Sequence, residues 1–163
     1  MDKLALAGLT AQFGNATLLG VAGTTVNLSV ATTYSIRGKM YSKAISNTEA
    51  TPTTDINTGA AFLPVNDLKA SIFVLCLDSS GALKAAQGKV LDTDAAGNVL
   101  GAFEFPAIPD NLCPIGYLTV KASTAYVATS TGWLFGTHNT TGVTGITYAF
   151  TNVSTLPDRP ATA

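Results

Sequence analysis

Charge is what this chain has least of. Asp, Glu, Lys and Arg make up 12% of its 163 residues, and nine basic against ten acidic side chains leave a net charge of −1. That share is about half of the ordinary one. Scattered and balanced, these charges form no basic stripe, which removes the electrostatic footprint of a nucleic-acid binder. The single histidine, His138, has neither a second histidine nor a neighbouring carboxylate, so it completes no histidine-centred triad and no ordinary His-rich metal site. Two cysteines, Cys76 and Cys113, are too few to define a disulfide framework, and the sequence leaves their pairing open. No apolar run reaches the length of a membrane span. The opening MDKLALAGLT breaks at Gln12-Phe13-Gly14-Asn15, before a signal-peptide core is complete, so the chain is expected to be made and folded in a cytoplasm.

What replaces charge is Thr, Ala, Ser, Gly and Asn on an ordinary 47% apolar background. An uncharged surface of this kind is poorly protected against association, which points to contact with other subunits. The length suits one domain. Residues 1–33 carry spaced glycines and small apolar groups and read as an N-terminal arm or peripheral strands. Within them Val26, Leu28 and Val30 alternate with Asn27, Ser29 and Ala31, a period-two signal with one face toward a core or a neighbour. Residues 34–163 read as the β-rich domain. The chain's only basic cluster follows, Arg37, Lys39 and Lys43, with Arg37 and Lys39 on one strand face. Residues 46–61 hold Thr, Asn, Pro52 and Gly59 with a single bulky apolar group, Ile56, and read as a long surface loop.

Beyond that loop the strand signals sharpen. Residues 71–77 form a nearly continuous apolar strand, Asp78-Ser-Ser-Gly81 supplies turn chemistry, and residues 82–87 return as the partner. Residues 89–91, the turn around Asp94 and Gly97, and residues 99–105 repeat the device, giving a meander over 71–105. Pro106, Pro109 and Pro114 then exclude a helix interior and a central strand. Further strands are expected over 117–121, 131–137 and 146–153. With no helical periodicity, the expected fold is all-β, a β-sandwich or jelly-roll-like domain with an extended N-terminal arm.

The tests for chemistry return little. Asp92-Thr-Asp94-Ala-Ala-Gly97 resembles the opening of a calcium loop but has Phe103 where the bidentate acid belongs; a hairpin turn explains it better. Glu49, Asp55, Glu104 and Asp110 are the acids from which a hydrolytic pair would have to come, and nothing selects any two. Glu104 stands between Phe103 and Phe105, so it points away from both aromatics and into solvent. The glycine runs carry no phosphate-cradling motif. Tyr126, Trp133, Phe135 and Tyr148 offer either a sugar-stacking platform or, as the spacing of Trp133 and Phe135 favours, the buried face of a strand. Asn15, Asn27, Asn139 and Asn152 begin Asn-x-Ser/Thr triplets, which carry little weight in a chain so rich in Ser and Thr. No catalytic, cofactor-binding or metal-binding residue is assigned.

Three short segments carry a resemblance: Phe105-Pro-Ala-Ile-Pro-Asp110, Pro114-Ile-Gly-Tyr117 and Leu156-Pro-Asp-Arg-Pro160. In these, and in style over residues 34–160, the chain resembles the capsid decoration, or cement, proteins of tailed bacteriophages. The resemblance implies a non-enzymatic β-rich protein on the outer capsid surface of the virion. It implies a homotrimer whose partner is the major capsid protein, with no nucleic acid and no membrane involved. The alternative is a head-fibre, tail or receptor-binding module with residues 133–142 contacting glycans. A small hydrolase with a carboxylate pair is disfavoured.

Overall fold

The computed structural model describes residues 8–20, 24–126, 132–138 and 142–160. The regular structure among them is all β. In chain order the strands are β1 (Ala11–Gln12), β2 (Leu18–Gly20), β3 (Thr25–Leu28), β4 (Thr32–Ile36), β5 (Lys39–Lys43) and β6 (Ser46–Ala50). They continue with β7 (Lys69–Leu77), β8 (Leu83–Gln87), β9 (Leu91–Asp92), β10 (Cys113–Ala122) and β11 (Ile146–Asn152). The central sheet has the order β11-β10-β7-β8, with β9 also pairing β7, and two three-stranded sheets run β1-β4-β5 and β2-β3-β6. All strand pairs are antiparallel. The arrangement is sandwich-like.

The long apolar run of β7 explains this architecture. An antiparallel strand with one wet face alternates apolar and polar residues, whereas one covered on both faces reads as a continuous apolar run. Phe73, Leu75 and Leu77 enter one core with Leu18, Val26, Leu28, Tyr34 and Ile36 of the two small sheets, while Ile72, Val74 and Cys76 enter a second core. That second core is closed by irregular chain: Phe103 and Leu112 are buried in it, and Phe105, Ile108, Val153 and Leu156 pack against it. Each of the three segments that carry the resemblance thus places at least one side chain on the second core, where the Phe105 ring meets Tyr117 edge-on at 5.1 Å, while Ile115 of the middle segment enters the first core.

Several expectations need correction. Of the two readings of residues 1–33, an arm or peripheral strands, the described residues 8–20 and 24–33 take the second: they contain β1 to β3 and the start of β4, with β1 and β2 at the ends of their sheets and Ala16, Leu18, Val26 and Leu28 fully buried, in place of an extended arm. Their alternation locates the buried face correctly at Val26 and Leu28, although Val30 is exposed. Residues 1–7 lie outside the described residues. Arg37 is not on a strand face with Lys39: Arg37 (φ 52°) and Gly38 (φ 80°) are the two central residues of the β4–β5 hairpin, the positive angles that such a turn requires. Residues 46–61 are only partly loop, since 46–50 form β6 and Thr54 bridges Ala61. Residues 99–105 form no strand beyond one bridge, Thr93 to Val99; the segment crosses the second core to bury Phe103. The expected strand over 131–137 reduces, in its described part, to a bridge between Trp133 and Val65 and then a turn. Tertiary burial of large rings placed these segments more strongly than their pairing did.

Pro114 lies inside a central strand after all, and the register shows why it is tolerated. The β10–β7 pairing shifts between Pro114 and Gly116, so Ile115 is an extra, bulged residue, and bulges are where a sheet accepts proline. On the other side β11 pairs β10 only from Gly116 onward, so the missing N–H costs no bond there. Gly116 has no positive φ, and its need for glycine is spatial: a Cβ there would sit 2.6 Å from Leu18 Cδ1 and 2.7 Å from the Thr151 carbonyl oxygen.

Two outcomes follow from this packing. Gly116→Val should lower stability by about 2 to 3 kcal/mol, the overpacking range, seen as a lower urea midpoint; an unchanged midpoint would show that Leu18 moves aside freely. Cys76 and Cys113 are both free and buried in opposite cores. Burial pushes the Cys113 thiol up to about 11 and raises Cys76 further. Since the thiolate is the reactive form, neither should react with a thiol reagent at pH 8 until the protein unfolds, and reductant should leave the melting temperature unchanged. Rapid labelling of the native protein would contradict this placement.

Candidate functional site

The acids singled out from the sequence each have partners of their own. Glu49 binds Lys43 at 2.9 Å, Glu104 lies 3.5 Å from Lys89, and Asp110 lies 3.8 Å from Arg37, each acid facing a different cation. The Glu104 and Asp110 pairs are largely exposed, where such contacts contribute little. Glu104 therefore faces solvent, as its place between Phe103 and Phe105 implies. Asp55 is buried and its carboxylate accepts from the Thr58 hydroxyl at 3.2 Å and from the backbone N–H groups of Asn57 and Gln87. It ties the β6–β7 connection to β8.

The other notable groups are likewise absorbed in turns. His138 Nδ1 accepts the Leu134 N–H at 2.9 Å and so closes a turn. Asp94 accepts from the N–H groups of Ala96 and Asn98 and from the Asn98 amide, which makes the calcium-like stretch a hydrogen-bonded turn. Those bonds from Asn98 hold its carboxyl below the usual range. No cluster of three or more His, Cys, Asp or Glu residues suited to a metal ion occurs among the described residues.

The aromatic platform is absent from the surface because its rings are in the core. Trp133 and Phe135 are fully buried, Tyr126 nearly so, and Tyr148 packs against them with 5.8 Å between the Trp133 and Tyr148 centroids. Phe62 and Phe73 complete the cluster, with Phe62 edge-on to Phe73 at 5.4 Å. Burial pushes the Tyr148 hydroxyl up to about 12. Of the Asn-x-Ser/Thr asparagines, Asn152 accepts the Leu18 N–H at 2.7 Å and Asn15 caps its own turn by accepting the Thr17 N–H at 2.9 Å. Asn27 Oδ1 is buried. Asn139 lies outside the described residues.

Among the described residues, concave surface lies around the proline segment. An open groove of about 610 Å³ runs between residues 50–56 and 109–112, with Asp78, Lys84 and Asn111 on its walls. A second hollow of about 460 Å³ shares Asp78 and Asn111 and adds Arg37, Lys39 and Tyr41. The sequence reading missed this groove because its walls are brought together only by the pairing of β7 with β8 and β10. Asp78 is its best-defined group. Its carboxylate accepts from Ser80 Oγ at 2.6 Å, Ser80 N–H at 2.8 Å and Ala82 N–H at 3.0 Å, while its carbonyl accepts the buried Tyr34 hydroxyl at 2.7 Å. Burial alone would raise the Asp78 carboxyl, but the Ser80 and Ala82 bonds hold it below the usual range. An acid so saturated with donors builds a turn and is a poor proton acceptor for a substrate.

No family model, no curated protein and no solved structure matches this chain.

Asp78→Ala should lower stability at pH 7 by about 1 to 2 kcal/mol, the scale of lost hydrogen bonds to a charged group. Because the folded carboxyl is held low, its contribution is full above the unfolded value of about 3.9 and is lost as pH falls through the lower folded value. The gap between the wild type and Asp78→Ala in urea melts should therefore narrow from pH 7 to pH 3. A gap that is constant or widens in acid would contradict the role given to the carboxylate.

Proposed function

We propose that this chain is a non-enzymatic virion protein of a tailed bacteriophage, a capsid decoration protein. In this role it binds the outer surface of the major capsid lattice as a homotrimer and stabilises the assembled head. The observation that carries the reading is the convergence of the three resemblance segments. Residues 105–110, 114–117 and 156–160 lie far apart in sequence, yet Phe105, Ile108, Tyr117 and Leu156 all belong to or pack on the second core.

Two further features support it. The acids and the histidine singled out from the sequence have partners in turns and ion pairs, and a 12% share of charged residues leaves a surface suited to lasting contact with other subunits. The glycan-binding alternative loses its proposed platform with the burial of Trp133 and Phe135. The mechanism is mass action. A protein that binds the expanded lattice and not its precursor stabilises the expanded state by its binding free energy at every site, and a trimer makes its later contacts at high effective concentration.

The test is co-sedimentation of the purified protein with decoration-free expanded shells and with unexpanded precursor shells. Saturable binding to expanded shells alone is expected, together with a rise in their disruption temperature. Equal binding to both forms would remove the stabilising mechanism, because a ligand indifferent to two states shifts neither. Binding to neither would remove the function.

A further inference from the structure

Strand β8 ends the central sheet's order, so one of its edges has no strand of that sheet beside it. The ladder with β7 fixes which backbone groups face that edge. The Gly88 N–H donates to the Ile72 carbonyl at 2.8 Å and the Asp78 N–H to the Ala82 carbonyl at 3.1 Å. Bonded and unbonded pairs alternate along an antiparallel ladder, so Lys84 and Ala86 bond β7 while Leu83, Ala85 and Gln87 turn their backbone groups outward. The Ala85 carbonyl accepts the Ile56 N–H at 3.0 Å, and the Gln87 N–H donates to the Asp55 carboxylate at 3.3 Å. Leu83 has no such cover. It is buried, yet among the described residues neither its N–H nor its carbonyl has a hydrogen-bond partner.

The facing wall leaves a matching group. Residues 50–56 meet β8 in parallel at the Asp55–Ala85 bridge. Ile56 aims its N–H at β8, whereas the Asp55 N–H donates away from it to the Ala60 carbonyl at 2.9 Å. Thr54, two residues before Ile56, therefore aims its N–H at β8 again, and that N–H has no partner among the described residues. Leu83 and Thr54 both line the groove of about 610 Å³. The wall is pinned open. Thr51 donates its N–H and its hydroxyl to the Thr24 carbonyl, and the Pro52 carbonyl, which closure on Leu83 would need, is packed on Gly136, where a Cβ would sit 2.3 Å from it.

From this geometry we infer that the groove between residues 50–56 and β8 binds an extended, acidic peptide segment of a partner protein, whose main chain lies along Leu83 and faces Thr54. Main-chain pairing at a free sheet edge is an established mode of peptide recognition, and it would satisfy backbone groups that are costly to leave unpaired. Charge selects the sign of the partner. Lys84 on the groove wall and Lys39 in the adjoining hollow are exposed and form no ion pair with a described carboxylate. The acids of the groove, Asp55 and Asp78, each accept three hydrogen bonds from the chain itself. A carboxylate on the incoming segment thus meets unmatched cations, and a lysine there would meet like charge. The proposal goes beyond the decoration reading and does not depend on it.

The test is titration of the full chain with the acetylated, amidated pentapeptide Thr-Val-Asp-Val-Thr up to about 5 mM, since a few main-chain bonds support only weak binding. Amide chemical shifts and hydrogen exchange are the readouts. The Leu83 and Thr54 amides should shift, and their exchange should slow by at least about tenfold as they become paired. The counterpart with Lys at its centre should bind more weakly. Lys84→Glu changes an exposed side chain and should weaken the Asp peptide about fivefold, the scale of an exposed ion pair turned into a like-charge contact, while favouring the Lys peptide. No response at Leu83 and Thr54, or equal binding of the two peptides to the wild type, would overturn the inference. Protection of both amides without peptide would give the groove to the chain itself, or to a second copy if it rises with protein concentration, and would overturn it too. Shell binding is scored separately: peptide binding without shell binding refutes the decoration reading alone, and shell binding without peptide binding refutes this site alone.

Discussion

The structure depends on the antiparallel pairing of β7 with β10. Eight residues of β10, from Cys113 to Lys121 with one bulged out, are in register with β7 between Ala70 and Leu77, and both strands are buried on both faces. A pair so placed obliges the rest of the chain to supply two covers. The N-terminal strands form one, inserting Leu18, Val26, Leu28 and Tyr34, and the irregular segments around Phe103, Leu112 and Leu156 form the other. The Ile115 bulge links the two demands. It lets Pro114 end the pairing with β11 and places Gly116 where Leu18 of the first cover comes closest.

That division of labour explains why conspicuous residues prove to be structural. Asp55, Asp78 and Asp94 accept hydrogen bonds within connections that must turn sharply after a buried strand. His138 serves the same purpose in the turn after Trp133. In a sheet covered on both sides, loops run tightly over the core, and their backbone donors need local acceptors. Short acidic and amide side chains meet that need.

Much of this was legible in the sequence, for identifiable reasons. The 72–77 run, the Asp78 to Gly81 turn and the return strand are local signals, and local signals set local structure. The buried face of Val26 and Leu28 was legible for the same reason. Segment 99–105 and the stretch around Trp133 misled because alternating aromatics satisfy a strand pattern even when a ring is simply packed against a distant sheet. The N-terminal strands were underestimated because their small, glycine-spaced residues bury little alone; they become core only when Leu18 meets the bulge at Gly116. The groove between residues 50–56 and 109–112 had no sequence signal, since its walls are neighbours only in space.

A scaffold whose conspicuous acids and histidine are committed to turns suits the structural role proposed above. The most direct measurement of that claim is the copy number of this chain per virion, determined by quantitative mass spectrometry against the major capsid protein. A decoration protein is present in fixed proportion to the lattice subunits that it covers, and that is the result expected. A number set by a tail or a single vertex, or absence from purified virions, would contradict the account.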